Sequence, residues 1–334
     1  MNILFTCVGR RVVLMEAFRH AMKELKIKGR ILATDVTPAA PALQRADEQF
    51  LVPRAGNIEY IPALENIIEQ NNVGLVVPLT DLDLRSLARR RERLAECGCT
   101  IMIGPEPTVK ICRDKRLFSQ HLQNAGMLSI RTFSMAQFRR SPFYPCFVKP
   151  LRGSGGLGTA RINSERELRA HIHVFGDQLL VQDYVPGREY TIDVYRTRAG
   201  EIKCIVPRQR LVVRSGEVDQ GVTVHDEELI AETRKLVALM EGLWGVFCCQ
   251  CRRPEGKPPY FFEINPRFGG GAPLSIAAGA DLPKYLLQEV LGLNIDAKAG
   301  EFTPNMLMLR YSSHVIQTIG DPSELPGFSA PLFK

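Results

Sequence analysis

Glu263 and Asn265 stand two residues apart in Tyr260-Phe-Phe-Glu263-Ile-Asn265-Pro-Arg267, a run that reads as a β-strand. In a strand the pair shares one face, while Phe262 and Ile264 take the other. The run Gly245-Val-Phe-Cys-Cys-Gln250-Cys-Arg252 reads as the partner strand, and the Arg-Pro-Glu-Gly-Lys-Pro-Pro segment after it is turn material, so the two form a hairpin. Gln250 adds an amide oxygen to that face. Such a hard-oxygen set suits Mg2+ held by few protein ligands together with phosphates. Arg267 follows on the same face, and glycines 269–271 leave room for a ligand close to the backbone.

A second group of chemical residues lies upstream. Pro145-Cys-Phe-Val-Lys149-Pro150 reads as a strand ending on a half-buried lysine, a placement that calls for an anion. The next segment, Arg152-Gly153-Ser154-Gly155-Gly156-Leu157-Gly158, contains a formal G-x-G-x-x-G. It leads into the extended Thr159–Ile162 rather than a helix, which starts only at Ser164-x-x-Glu167, so the dinucleotide reading fails. The loop is read either as a cover over a polyphosphate, with Ser154 adding a hydroxyl, or as a plain hairpin tip. Leu179–Val185, with Gln182, Asp183 and Val185, runs through Pro186-Gly187 into the alternating strand Arg188–Val194. Main-chain groups at this hinge suit a purine edge, and Glu189 suits ribose hydroxyls.

These residues need a scaffold. The chain has 334 residues, 45% hydrophobic and 24% charged, which fits a folded protein of about two domains. Its longest apolar stretches are strand-length, and Arg10-Arg11 interrupts the N-terminal run, so neither a membrane span nor a secretory signal is read and a cytoplasmic location is expected. Ile3–Val8, Arg30–Asp35, Gln49–Pro53, Gly74–Leu79 and Cys99–Gly104 read as strands, alternating with helices over 11–25, 59–71 and 83–96. This rhythm predicts a doubly wound parallel sheet over residues 1–105. Its first turn, Cys7-Val-Gly9-Arg10-Arg11, lacks the dinucleotide glycines. Gly9, Arg10, Thr80, Asp81 and Asp83 fall at strand ends facing the rest of the chain. Thr108–Asn124 reads as one helix. The arginine run at positions 85–93 reads as a solvated helix face rather than a nucleic-acid site. The nine cysteines read as structural thiols. The net charge of +7 favours anionic ligands.

Taken in order, Lys115, Val148-Lys149-Pro150, the glycine loop, the Gln182–Glu189 hinge, Gln250 and Glu263-Ile-Asn265-Pro-Arg267 resemble the ATP-grasp superfamily, and in particular its carbamoyl-phosphate synthase large-subunit-like members. The resemblance covers about residues 1–312. It implies a mixed α/β and α+β chain: a Rossmann-like pre-ATP-grasp domain over 1–105, ATP-grasp subdomains over 106–183 and 184–312, and an extension over 313–334. It further implies that Lys115 and Lys149 contact ATP phosphates under the loop Gly153, Ser154, Gly155, Gly156 and Gly158. Gln182, Asp183 and Val185 would read adenine and Glu189 ribose. Gln250, Glu263 and Asn265 would hold Mg2+, with Mn2+ as an alternative, and Arg267 would face the transferred phosphoryl group. Arg208 and Arg210 stand where relatives place acceptor- or phosphate-contacting arginines, and on one strand face either could do that work. The implied chemistry joins a small carboxylate to an amine or other nucleophile through an acyl phosphate, releasing ADP, with neither nucleic acid nor membrane as a partner; a homodimer is left open. The rivals are carbamoyl-phosphate-synthase-type activity on bicarbonate and a non-catalytic ATP-binding module. A single copy of the unit, without an internal repeat, argues against the complete two-step synthase.

Overall fold

The structure, a computed structural model, describes residues 1–151, 157–316 and 318. The chain opens with five parallel strands, β1 (Asn2–Thr6), β2 (Ile31–Asp35), β3 (Glu48–Leu51), β4 (Val73–Pro78) and β5 (Thr100–Ile101), in the order β3-β2-β1-β4-β5. Alternation along β1 explains why both faces are covered. Ile3 and Phe5 pack under α1 (Val12–Glu24), whereas Leu4 faces the opposite layer with α2 (Tyr60–Gln70). The predicted helix over 83–96 is two short ones, α3 (Leu84–Arg89) and α4 (Arg91–Glu96). The arginines there pair across elements, Arg93 with Glu65 and Arg89 with Glu106, rather than along one helix.

The expected helix 108–124 is likewise divided, into α5 (Glu106–Arg113) and α6 (Lys115–Asn124). Asp114 between them adopts extended backbone and its side chain accepts from the N–H groups of Arg116 and Leu117, so it caps a new helix instead of continuing the old one. An antiparallel sheet follows, β6 (Thr132–Ser134), β7 (Cys146–Pro150), β8 (Ala160–Ile162) and β9 (Leu179–Asp183), ordered β6-β9-β7-β8 and backed by α7 (Met135–Arg140) and α8 (Glu165–Phe175).

The remaining sheet has six strands: β10 (Arg188–Arg196), β11 (Ile202–Arg214), β12 (Glu217–Thr223), β13 (Gly245–Arg253), β14 (Tyr260–Asn265) and β15 (Leu307–Leu309). They are antiparallel in the order β14-β13-β10-β11-β12-β15, with α9 (Glu227–Ala238), α10 (Ala272–Ala277) and α11 (Leu282–Val290) packed around them. Among the described residues no helix is long and apolar enough to cross a membrane.

The hydrophobic core does not stop at residue 105. Ile3, Phe5 and Phe18 of the parallel unit share one cluster with Tyr195, Val206, Val246, Phe268 and Leu286. Phe18 makes edge-on contacts with Phe5 at 4.8 Å and with Phe268 at 5.3 Å, each worth roughly 1 kcal/mol beyond its buried area. The four-stranded sheet keeps a separate core of Met135, Phe138, Cys146, Val148, Leu179 and Val181. The chain passes from that sheet to the six-stranded one over residues 184–187. Gly187 has φ of 103°, and a Cβ there would lie 2.2 Å from the Arg253 carbonyl oxygen. Both the backbone and the space exclude a side chain. Gly187→Ala is therefore expected to cost about 2 kcal/mol or more in urea denaturation, whereas Gly256→Ala, in open space, costs less.

Candidate functional site

The six-stranded sheet gathers the polar residues on one face. Antiparallel register sets Gln250 opposite Glu263 and Cys248 opposite Asn265, with Thr191 beside Gln250 and Arg208 beside Thr191. Asn265 is buried, and Gln250 and Glu263 are partly so. The break at Asp114 makes Lys115 the first residue of α6, from which its Nζ donates to Glu263 Oε1 at 3.2 Å. Lys149, near the end of β7, places its ammonium 4.9 Å from the Phe262 ring centre and 5.6 Å from that of Phe147. Burial pulls the Lys149 amine down to about 8, against the opposing pull of Glu263. Burial also works against charge on Glu263, yet Lys115 and Lys149 hold its carboxyl below the usual range.

Arg267, two residues beyond β14, completes this end. Its Nη2 donates to Asp81 Oδ2 at 2.6 Å and its Nη1 to the Phe268 carbonyl at 2.9 Å. Asp81 lies just past β4 at the carboxyl end of the parallel sheet, and its Oδ1 lies 3.0 Å from Arg113 Nη1. Burial opposes ionisation of Asp81, but Arg267 and Arg113 pull its carboxyl below the ordinary value. The parallel unit thus supplies the counter-charge for an arginine of the six-stranded sheet.

The oxygen donors suit a hard cation. Gln250, Glu263 and Asn265 offer one carboxylate and two amides, and among the described residues no three His, Cys, Asp or Glu side chains form a metal cluster. A divalent ion held here would take its remaining ligands from a bound anion and from water.

Comparison with known proteins follows the same division. Residues 3–102 match the family model described as PylC-like, N-terminal domain, and residues 176–313 match that described as ATP-grasp in the biosynthetic pathway with Ter operon. The chain carries an ATP-grasp domain behind a PylC-like N-terminal domain. The D-alanine--D-alanine ligase of Thermotoga petrophila is 32% identical over 177 residues, covering 46% of this chain and 56% of that protein. The chain thus spans little more than half of that relative. The carbamoyl phosphate synthase large chain of Bifidobacterium adolescentis is 23% identical over 317 residues, 85% of this chain but 27% of that protein. Among solved structures, biotin carboxylase from Campylobacter jejuni superposes with a TM-score of 0.70 at 18% identity, covering 92% of this chain and 74% of that one. L-amino acid ligase from Bacillus licheniformis gives 0.69 at 17% identity, over 91% and 77%. These likenesses establish the fold of the ATP-grasp domain.

Within that domain, Arg208 departs from its expected role. It is 1% exposed, and its Nε and Nη2 donate to the fully buried Asp193 at 2.8 and 3.0 Å, where Ser275 Oγ also donates at 2.6 Å. With so little exposure the guanidinium is not open to a substrate; it anchors β11 to β10. Strand alternation puts Arg208 on the correct face, but Asp193 and Ser275, which enclose it, carry no local signal. Arg210, on the same face, is also largely buried, with Nε 3.2 Å from Glu189 Oε1 and Nη2 donating to the Gly216 carbonyl at 2.9 Å. Glu189 also accepts from Arg252 at 3.0 Å, so the expected ribose acid sits between two arginines.

At the crossing between sheets, Gln182 is buried and donates to Thr132 Oγ1 at 2.7 Å, which turns its side chain into the four-stranded sheet. Asp183 pairs with Arg131, and Val185 packs with Ile130 and Phe262. Of the glycine loop, Gly153, Ser154, Gly155 and Gly156 lie outside the described residues. Gly158 is described, with its carbonyl 3.1 Å from His171 Nε2.

Glycines 269–271 do not hold open space. A Cβ on Gly271 would lie 2.2 Å from Arg208 Nη1, and one on Gly270 would lie 2.8 Å from Arg11 Nη1. The room foreseen for a ligand is taken by arginines. Two outcomes follow from this arrangement. Asp193→Ala leaves the Arg208 charge buried without its partner and is expected to destabilise the fold by about 3–5 kcal/mol in chemical denaturation. Lys149 is charged below pH about 8 and loses its proton above it, so calorimetric affinity for ATP or pyrophosphate is expected to fall as pH rises from 7 to 9, and Lys149→Arg is expected to flatten that dependence.

Proposed function

We propose that the protein is an ATP- and Mg2+-dependent ligase that joins a small carboxylate to an amine or other nucleophile and releases ADP and phosphate. The observation that carries this reading is the convergence of Lys115, Lys149 and Arg267 on the strand face that bears Gln250, Glu263 and Asn265. Three cations beside an oxygen-donor set match the needs of phosphoryl transfer, which relies on positioning and charge rather than on a protein nucleophile. The names of the relatives support the same class, since they include ligases for D-alanine and for L-amino acids.

In this reading a carboxylate oxygen of the substrate attacks the γ-phosphorus, the bond from that phosphorus to the bridging oxygen of ADP breaks, and an acyl phosphate forms. The nucleophile then attacks the acyl carbon, the carbon–oxygen bond to phosphate breaks, and the proton of the amine passes to solvent. Lys115 and Lys149 orient the phosphates, and Arg267, held by Asp81, faces the oxygens that gain charge. Gln250, Glu263 and Asn265 hold Mg2+, which when bound neutralises phosphate charge. Main-chain groups near Asp183 and Val185 read adenine. Glu189 meets the ribose once Arg210 or Arg252 yields one of its oxygens.

A second acid deserves its own arm. The match to the carbamoyl phosphate synthase large chain runs through 85% of this chain and favours bicarbonate as the phosphorylated acid. An ADP-release screen over amino acids, other carboxylates and bicarbonate, with hydroxylamine to trap acyl phosphate as hydroxamate, separates the two. Hydroxamate from an organic acid supports ligation. ADP release that depends on bicarbonate with ammonia supports the synthase-like reading, and ADP release with no acid at all refutes both. With the active acid in hand, Glu263→Gln is expected to lower Mg2+-dependent kcat by about a hundredfold or more while the thermal unfolding midpoint stays close to that of the wild type. Full activity in this variant removes Glu263 from the metal site.

A further inference from the structure

The rim beyond Arg267 carries more positive charge than the phosphoryl end requires. Arg11, in the loop between β1 and α1, pairs with Glu217 at 2.9 Å, and Arg310, just after β15, reaches the other oxygen of Glu217 at 2.7 Å. Arg310 Nη2 also donates to the Gly270 carbonyl at 2.5 Å, which ties this rim to the glycine run after Arg267. Burial lowers the Arg11 guanidinium, Glu217 opposes that fall, and Arg267 and Arg310 add to it, so these groups lie within one another's fields. Arg10 acts on Glu217 from the same loop, is exposed, and makes no ion pair among the described residues. Among the described residues the ion pairs of Arg11, Arg113, Arg267 and Arg310 go to two carboxylates, Asp81 and Glu217, with Arg10 left outside them. Three guanidinium atoms among the described residues, Arg267 Nε, Arg208 Nη1 and Arg210 Nε, are buried without a hydrogen-bond partner.

Lys115 and Lys149 already serve the triphosphate in the reading above, and a single carboxylate undergoing phosphorylation accounts for Arg267. The surplus at Arg10, Arg11 and Arg310 remains. We infer that the substrate joined at this site carries an additional anionic group, a carboxylate or a phosphate, which docks between the β1–α1 loop and Arg310. This inference rests on the ligase reading and extends it to the class of substrate. Charge recognition there comes from both ends of the sequence, since Arg10 and Arg11 belong to the PylC-like N-terminal domain and Arg310 follows the last strand. Arg11 and Arg310 are braced by Glu217, while the exposed Arg10 is the guanidinium free to swing onto a ligand.

The test uses the full chain with ATP and Mg2+ and matched acids, with hydroxylamine as the nucleophile: propionate against succinate, L-alanine against L-aspartate, and L-serine against O-phospho-L-serine. The first two pairs probe a carboxylate and the third a phosphate. In at least one pair the doubly anionic member is expected to have a KM lower by about tenfold or more. Arg10→Ala is expected to erase that difference while the KM for ATP stays unchanged. Equal KM values within every pair, or a preference that survives Arg10→Ala and Arg10→Glu, overturn the inference and leave the ligase reading standing. Silence with every acid and with bicarbonate overturns the ligase reading, and this inference falls with it.

Discussion

Arg208 and Asp193 form an ion pair almost without access to water, and the six-stranded sheet is organised around it. A charge removed from solvent at that depth needs a fixed partner and further hydrogen bonds; Asp193 accepts from Arg208 and from Ser275 on α10, while Arg208 Nη1 is left buried without a hydrogen-bond partner. Neighbouring glycines exist to make room for it: side chains at 269 and 271 would meet the Asp193–Arg208 pair and Cys248. The turn after β14 is thereby fixed against the sheet, and Arg267, inside that turn, inherits its direction. The rest of the candidate site, from Glu263 to Asp81, depends on this local geometry.

Much of the arrangement was legible because it depends on short-range periodicity. Two-residue alternation is enough to place Glu263 with Asn265, and a hairpin is enough to bring Gln250 alongside; it fails at Phe262, where a register shift leaves Phe261 to join Ile264 in the core and sets the Phe262 ring beneath Lys149. Lys149 stood out as a charge ending an apolar strand. Partnerships that span the chain were not legible in the same way. Arg267 and Asp81 are separated by 186 positions, and nothing near either names the other. Asp193 reads as an ordinary strand residue until its burial is known, so Arg208 was expected to face a substrate when it faces the core. The division at Asp114 was missed for a different reason: an aspartate within an amphipathic run looks the same whether it caps a helix or merely decorates one.

The two sheet systems differ in how they are held. The parallel unit and the six-stranded sheet share apolar residues across their junction, so the carboxyl ends of β1 and β4 are fixed relative to β14. That is the junction at which Arg11 meets Glu217 and Asp81 meets Arg267. The four-stranded sheet, which carries Lys149, has a core of its own and meets the six-stranded sheet at the 184–187 crossing, along Leu128–Ile130 beside Phe261, and where Lys149 lies over the Phe262 ring. Fixed arginines on one side and a separately cored lysine on the other form a geometry suited to closing on an anion.

The cysteines on β13 have a chemical consequence of their own. Cys248, directly across from Asn265 on the neighbouring strand, shares its face and lies close to Arg267, and burial pushes its thiol up to about 11 despite that arginine. Cys249 and Cys251, on the reverse face, are buried in the apolar core and raised in the same way. At neutral pH none of the three is a thiolate, and the thiolate is the form that attacks acyl groups. An activated acyl group held beside this strand would therefore find sulfur nearby but unreactive. It would escape capture as a thioester, and the reaction would be left to whichever nucleophile enters from outside.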